Sequence, residues 1–219
     1  MFAVLRRQTA AGLRLLLVMT LLCGVVYPLG IWAVAQLPGL VTAAEGSLLP
    51  GAGGPTGSAL IGIDPVAADP AADPWFHTRP SASSADVLGP ADTATSGGSN
   101  AGGFDEKLLA DVTRRRELIA AREGTDPAAV PVDAVTASAS GLDPDISPGY
   151  AALQVPRVAR VTGLTPEVVT GLVARATDGR TFGVLGEPRV NVPELNAAVQ
   201  DAAGTGDSGP GAPVARMVP

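Results

Sequence analysis

Ser96-Gly97-Gly98-Ser99-Asn100 is the stretch of this chain whose residue types most invite chemistry. Glycines let backbone N–H groups approach an anion, and the N-terminus of a following helix favours negative charge. A phosphate cradle and a plain structural turn are both open on this pattern, and two features favour the turn. No Gly-x-x-x-x-Gly-Lys-Ser/Thr sequence occurs, so the lysine that would reach a phosphate is missing. Asp105 and Glu106 begin the helix expected to follow, and their charge repels phosphate.

Other reactive side chains are scarce. His77 is the only histidine, so a zinc site or a Ser-His-Asp triad would have to be built around it. It lies in Trp75-Phe76-His77-Thr78-Arg79-Pro80, without a nucleophile elbow, which favours an exposed or packing histidine over a catalytic one. Cys23 is the only cysteine, which excludes an intramolecular disulfide and a cysteine metal site. These absences weigh against a membrane-anchored hydrolase.

The element that positions everything else is a run of 30 residues without a charge, Leu15 to Ala44. Its densest part, Leu15 to Leu37, has 23 residues, and a bilayer-spanning helix needs about 20. Arg6, Arg7 and Arg14 precede it, and the next basic residue is Arg79. By the positive-inside rule, the N-terminus is cytoplasmic and the remainder extracytoplasmic. A cleaved secretory signal is the alternative, with Ala33-Val34-Ala35 or Thr42-Ala43-Ala44 as cleavage sites. The run exceeds the usual h-region of about 7–15 residues, and Tyr27 and Trp32 suit a retained span, so an uncleaved anchor is the reading adopted. Within it Thr20, Gly24 and Pro28 recur every four residues on nearly one helical face, a notch that admits a partner helix. Pro28 leaves the Gly24 carbonyl without its donor and should bend the helix.

Three of the fifteen basic residues precede the span, so the outer part sets twelve against 21 acidic residues, a net charge of −9. That balance argues against nucleic acid as a partner. Fourteen arginines to one lysine, with abundant Ala, Gly and Pro, suggest a GC-rich bacterial genome.

The pattern divides the chain into a cytoplasmic N-terminus (1–14), a transmembrane helix (15–37), a linker (38–57), an extracytoplasmic domain (58–200) and a disordered tail (201–219). The fold class expected is α/β: a single N-terminal transmembrane helix followed by one small mixed α/β extracytoplasmic domain. Ser58 to Ile63 reads as a strand, and Asp64 to Pro74, with three prolines, as a loop that Trp75 and Phe76 anchor to the core. Apolar residues at 104, 108, 109, 112 and 119 predict a helix from Phe104 to Arg122 stopped by Gly124. Arg114, Arg115, Arg116 and Arg122 should lie mostly on its other face. Residues 131–136 fit a strand or a turn entering a helix equally well. Ser147-Pro148 and Thr165-Pro166 are N-cap and N1 pairs. They predict helices to about Val161, kinked or divided by Pro156, and to about Asp178. A strand at 189–192 and a short helix at 193–199 complete the domain.

Several segments together resemble the C subunit of the bacterial high-affinity potassium-transporting P-type ATPase, the Kdp pump. They are the anchor with Tyr27-Pro28, GSALIG (57–62), WFHTRPSAS (75–83), SGGSN (96–100), PVDAVTASASGLDPDISP (131–148), QVPRVAR (154–160) and GVLGEPRVNVPELNAAV (183–199). They follow the family's order over most of residues 15–199. Departures occur at Asp145, where the family usually has His, at Pro156 and Pro193, and in the AGG that follows SGGSN.

The resemblance implies a non-catalytic accessory subunit. It implies as partners a potassium-selective channel-like subunit, a P-type subunit that hydrolyses ATP, and a small membrane subunit. The subunit would serve complex assembly and act as a catalytic chaperone that raises the ATP affinity of the hydrolysing subunit, with no metal of its own. An Asp-Lys-Thr-Gly phosphorylation motif is absent here. The family's nucleotide contact maps to Ser96, Gly97, Gly98, Ser99 and Asn100, which the charge asymmetry places outside the cell membrane, away from cytoplasmic ATP. The anchor face of Thr20, Gly24, Tyr27 and Pro28 is expected to dock on a partner's helices. The competing reading is an anchored extracytoplasmic ligand-binding module unrelated to ion transport.

Overall fold

A computed structural model describes residues 1–50 and 56–206, with the side chains of 205–206 left aside. Contacts divide the chain into two units, Met1–Ser47 and one that begins at Leu48.

The first unit is dominated by helix. α1 (Phe2–Leu21) passes through a π-helical stretch, Leu22–Val26, into α2 (Tyr27–Ala35), and none of these residues is buried. Helical geometry therefore starts well ahead of the uncharged run and includes the arginines. The whole span of 34 residues is long and apolar enough to cross a membrane. At 1.5 Å per residue it is about 50 Å long, against a hydrocarbon core of about 30 Å. Pro28 has no N–H for the Gly24 carbonyl, and its ring crowds that oxygen. The backbone answers by widening: the Tyr27 N–H donates to the Leu22 carbonyl, five residues back. The disturbance expected at Pro28 is thus a π turn just before it. α3 (Val41–Ala44) is a single further turn.

The second unit is a mixed helix and strand domain. β1 (Leu48–Leu49) pairs antiparallel with β2 (Gly57–Ser58), so the strand expected across 58–63 is confined to its start. The loop at 64–74 holds one 3-10 turn, Pro70–Ala72, whose Ala71 N–H donates to Asp69 Oδ1 at 2.9 Å. α4 runs from Glu106 to Glu123, capped by Asp105 and stopped by Gly124 at φ 66. Phe104 lies outside it, and Phe104 and Leu109 are solvent-exposed. Residues 131–136 adopt the helical alternative as α5 (Val132–Val135).

α6 (Pro148–Thr162) and α7 (Pro166–Arg175) start on the expected caps: Ser147 accepts from the Tyr150 N–H, and Thr165 from the Val168 N–H. Pro156 does not divide α6. The carbonyl it deprives of a donor is that of Ala152, and Ala152, Pro156 and Arg160 form the exposed face, where water can take the donor's place. α7 ends earlier than expected because the chain turns into β4 (Thr177–Asp178). β4 and β3 (Asp145–Ile146) flank β5 (Arg189–Asn191) in an antiparallel sheet ordered β3-β5-β4. Asp145 faces Asn191, and Thr177 faces Val190. α8 runs from Val192 to Gly206, longer than the helix expected at 193–199 and extending into the tail. The rest of that expected tail, from 207, lies outside the described residues, as does part of the linker.

The core forms between α6, α7, α8 and the end of α4, with Tyr150, Val158, Val169, Leu195, Ile119 and Phe76 fully enclosed. Phe76 anchors its loop as expected, while Trp75 is only half-buried. Two arginines of α4 are not on the solvent face. Arg115 is buried and donates from Nε to the Val87 carbonyl at 2.9 Å and from Nη1 to the Val135 carbonyl at 3.2 Å. Arg122 donates from Nη2 to the Tyr150 hydroxyl at 2.9 Å. Long irregular stretches leave carbonyls without strand partners, and a forked guanidinium on an apolar stem satisfies them.

Candidate functional site

Three separate segments converge on one strap of backbone, residues 136–144. Gly62 N–H donates to the Leu142 carbonyl at 2.9 Å, Ser138 N–H to the Pro80 carbonyl at 2.8 Å, and Gly97 N–H to the Ser140 carbonyl at 2.8 Å. Arg79 reaches the strap with both terminal nitrogens of its guanidinium. Nη1 meets Asp143 Oδ2 at 3.0 Å, and Nη2 donates to the carbonyls of Thr136 and Ala137 at 3.4 and 3.3 Å. Glycine is required where the backbones touch. A Cβ on Gly62 would lie 2.1 Å from the Asp143 carbonyl oxygen. One on Gly141, already at φ +73, would lie 2.9 Å from the Gly97 carbonyl oxygen.

This convergence assigns the SGGSN loop a packing role. Ser96 Oγ donates to the Ser140 carbonyl at 3.0 Å, and Gly98 lets the Ala139 backbone approach to within 3.0 Å of where its Cβ would be. Asn100 turns at φ 51, its Nδ2 donating to the Gly98 carbonyl at 3.3 Å, and Ser99 Oγ accepts from the Ala101 N–H at 3.4 Å. The loop does not open directly onto a helix. At the start of α4 the N–H groups of Lys107 and Leu108 donate to Asp105 Oδ1 at 2.9 and 3.2 Å, so a carboxylate already occupies the place an anion would take.

Behind Arg79 the same segment enters a buried ionic cluster that the sequence did not disclose. His77 is neither exposed nor packed among apolar groups. Its Nδ1 lies 2.8 Å from Asp64 Oδ1 and its Nε2 2.5 Å from Asp73 Oδ2. Burial opposes charge on the imidazole most strongly, but attraction to the Asp64 carboxylate together with the hydrogen bonds to Asp64 and Asp73 raises the His77 pKa above the ordinary value. Burial likewise opposes charge on Asp73, yet the hydrogen bond from His77 holds its carboxyl below the usual range. Arg157, almost fully buried, donates from Nε to Glu123 Oε2 at 2.9 Å and from Nη1 to the carbonyls of Asp73 and Trp75 at 2.8 and 2.9 Å. Arg122 Nε meets Glu123 Oε1 at 2.7 Å. Burial pushes the Tyr150 hydroxyl beside it up to about 12. Side-chain amides replace a missing neighbour strand. Asn196 exchanges two hydrogen bonds with the Phe76 backbone at 2.8 and 2.9 Å, and Gln154 two with that of His77 at 2.8 and 3.3 Å.

Chemically, this arrangement holds chain segments together. Ser81 and Ser83 pair through a hydroxyl contact of 3.0 Å and Ser138 and Ser140 through one of 3.1 Å, but both His77 ring nitrogens face carboxylates, so none of these four serines is coupled to the imidazole. Asp145, in the place where a histidine was expected, meets Arg189 Nε at 2.9 Å and Asn191 Nδ2 at 3.4 Å. The residues expected to meet a partner helix belong to the other unit. Thr20 and Gly24 are neighbours there: a Cβ on Gly24 would meet only Thr20 Cγ2, at 4.0 Å. Tyr27 and Pro28 follow at the end of the π turn, exposed.

Residues 9–201 match the family described as K+-transporting ATPase, c chain. The chain belongs to that family. It is similar to the potassium-transporting ATPase KdpC subunit of Kineococcus radiotolerans, with 46% identity over 91% of this chain and 96% of the relative. The subunit of the same description from Bradyrhizobium diazoefficiens is 45% identical over 90% of this chain and 98% of its own length. That from Polaromonas naphthalenivorans is 48% identical over 86% and 91%. Four of the segments that carry the resemblance in sequence (57–62, 75–83, 96–100 and 131–148) meet at the strap.

Proposed function

We propose that this protein is a non-catalytic accessory subunit of a high-affinity potassium-uptake pump, retained in the cell membrane by its N-terminal helix. The N-terminus is cytoplasmic and the second unit extracytoplasmic, in keeping with Arg6, Arg7 and Arg14 on one side of the uncharged run. Its partners are the potassium-selective channel-like subunit, the P-type ATP-hydrolysing subunit and the small membrane subunit. The observation that carries this reading is a helix of 34 apolar-rich residues with none buried, in a member of the potassium-transporting ATPase c chain family. Such a surface is completed by lipid and by other helices. The notch at Thr20, Gly24, Tyr27 and Pro28 is the docking face on the channel-like subunit, whose outer vestibule the second unit caps.

The subunit supports assembly and raises the ATP affinity of the hydrolysing subunit. ATP itself is bound by that subunit; the packing of Ser96, Gly97, Gly98, Ser99 and Asn100 against the strap supports a structural use of the loop over a nucleotide contact. The test compares the ATP concentration for half-maximal hydrolysis by the pump with and without this chain, and with Ser96→Ala/Ser99→Ala in place. The reading expects omission to raise that concentration and the double variant to leave it unchanged. A rise with the double variant, in a complex that still assembles, assigns nucleotide contact to the loop instead. A cysteine introduced at Ser99 should react with a membrane-impermeant reagent in intact cells; protection there with reaction after lysis reverses the topology.

A further inference from the structure

The cluster around His77 does something none of the above requires. We propose that His77 is held as an imidazolium clasp between Asp64 and Asp73, and that losing its proton as the medium turns alkaline frees Asp64 and loosens the stretch of chain leading to it. Both ring nitrogens lie within hydrogen-bond distance of carboxylate oxygens. A neutral imidazole has one N–H and leaves the other nitrogen lone pair facing a carboxylate, whereas an imidazolium donates from both.

Charge balance points the same way. The charged groups that surround His77 are Asp64 and Asp73 from the preceding loop, Arg122 and Glu123 from the end of α4, and Arg157 from α6, beside the Tyr150 hydroxyl. Asn196 and Gln154 add only neutral amides. With His77 charged, three cations match three anions; with it neutral, a buried negative charge is left over, which a low-dielectric interior penalises. The raised His77 pKa fixes the sign. A folded value above the unfolded one gives stability that is complete at pH below the unfolded value and is lost as pH rises through the folded one. Asp73, lowered, loses its contribution as pH falls through its own folded value, so the clasp works between those limits.

The two carboxylates are not equally tied. Asp73 is also held by the Trp75 N–H at 3.0 Å and lies 3.6 Å from Arg157 Nη1. Asp64 has, besides His77, the Thr78 N–H at 3.2 Å. The Nε2 contact with Asp73, at 2.5 Å, is shorter than the Nδ1 contact with Asp64, at 2.8 Å, so the proton leaves for solvent from Nδ1, and Asp64, with fewer other ties, is the group released. Further ties of that stretch include the pairing of Gly57–Ser58 with β1, the Ala59 carbonyl, which accepts from Asn191 Nδ2, and the Gly62 N–H, which donates to the Leu142 carbonyl.

Because His77 is the only histidine, selective ¹⁵N-histidine labelling of the full-length chain in detergent micelles gives one pair of ring signals. The folded chain should show two protonated nitrogens at a pH where the urea-unfolded chain is already neutral, and Nδ1 should be the one that loses its proton on further alkalisation. Asp64→Asn should move the titration down toward the unfolded value. His77→Gln should remove the alkaline decline of the unfolding midpoint; if that variant does not fold, the wild-type spectra decide alone. A folded His77 that is neutral alongside the unfolded one, or that deprotonates first at Nε2, overturns the proposal.

Discussion

The two units of this protein solve the burial problem in opposite ways. Met1–Ser47 presents Leu, Val, Ile and Trp outward and encloses nothing, while the unit from Leu48 encloses His77, Asp73, Arg115, Arg157 and Gln154 beside its apolar core. Apolar residues outside ask for a surrounding medium or partner. Charged residues inside need each other, and here each has found hydrogen-bonded company. The contrast assigns dependence on a surrounding medium or partner to the helix and the neutralisation of its own interior charges to the domain.

That contrast breaks if the buried charges prove dispensable. Arg157→Ala removes one of the two guanidinium partners of Glu123 and the donor to the Asp73 and Trp75 carbonyls, and should destabilise the domain by about 3–5 kcal/mol in chemical denaturation of the full chain. Gly62→Ala drives a methyl into the Asp143 backbone, which should cost about 1–3 kcal/mol; Gly141→Ala, at positive φ beside Gly97, should cost a similar amount. At the other end of the scale, Arg180→Ala deletes an exposed pair with Glu187 and should change stability by no more than about 0.5 kcal/mol. If Arg157→Ala and Arg180→Ala have equal effects, the domain is not held by its interior ions.

What the sequence allowed a reader to see depended on how local the physics was. Caps are local, so Ser147 and Thr165 marked their helices correctly, and Gly124 the end of α4, while the start expected at Phe104 fell to the Asp105 cap instead. The π turn before Pro28 and the integrity of α6 at Pro156 needed knowledge of surroundings: room to widen in one case, an exposed carbonyl in the other. The strand assigned to 58–63 failed because its chain is held by point contacts to Leu142 and Asn191, not by a ladder. His77 was singled out as unique, but nothing in its spacing from Asp64 and Asp73 shows that they meet. Arg115 and Arg122 were placed outside because periodicity counts an arginine as polar, whereas its long stem and fork can serve buried carbonyls.

The dependence assigned to the helix is measured most directly by affinity purification of the pump through a tag on its channel-like subunit. Gly24→Ile is compared with Gly30→Ile, since neither position meets a close neighbour within its own helix and the two point to different sides. Gly24→Ile should lose this chain from the purified complex, with domain stability unchanged to within about 0.5 kcal/mol, while Gly30→Ile should retain it. Full recovery of the Gly24→Ile chain alongside its partners contradicts the account.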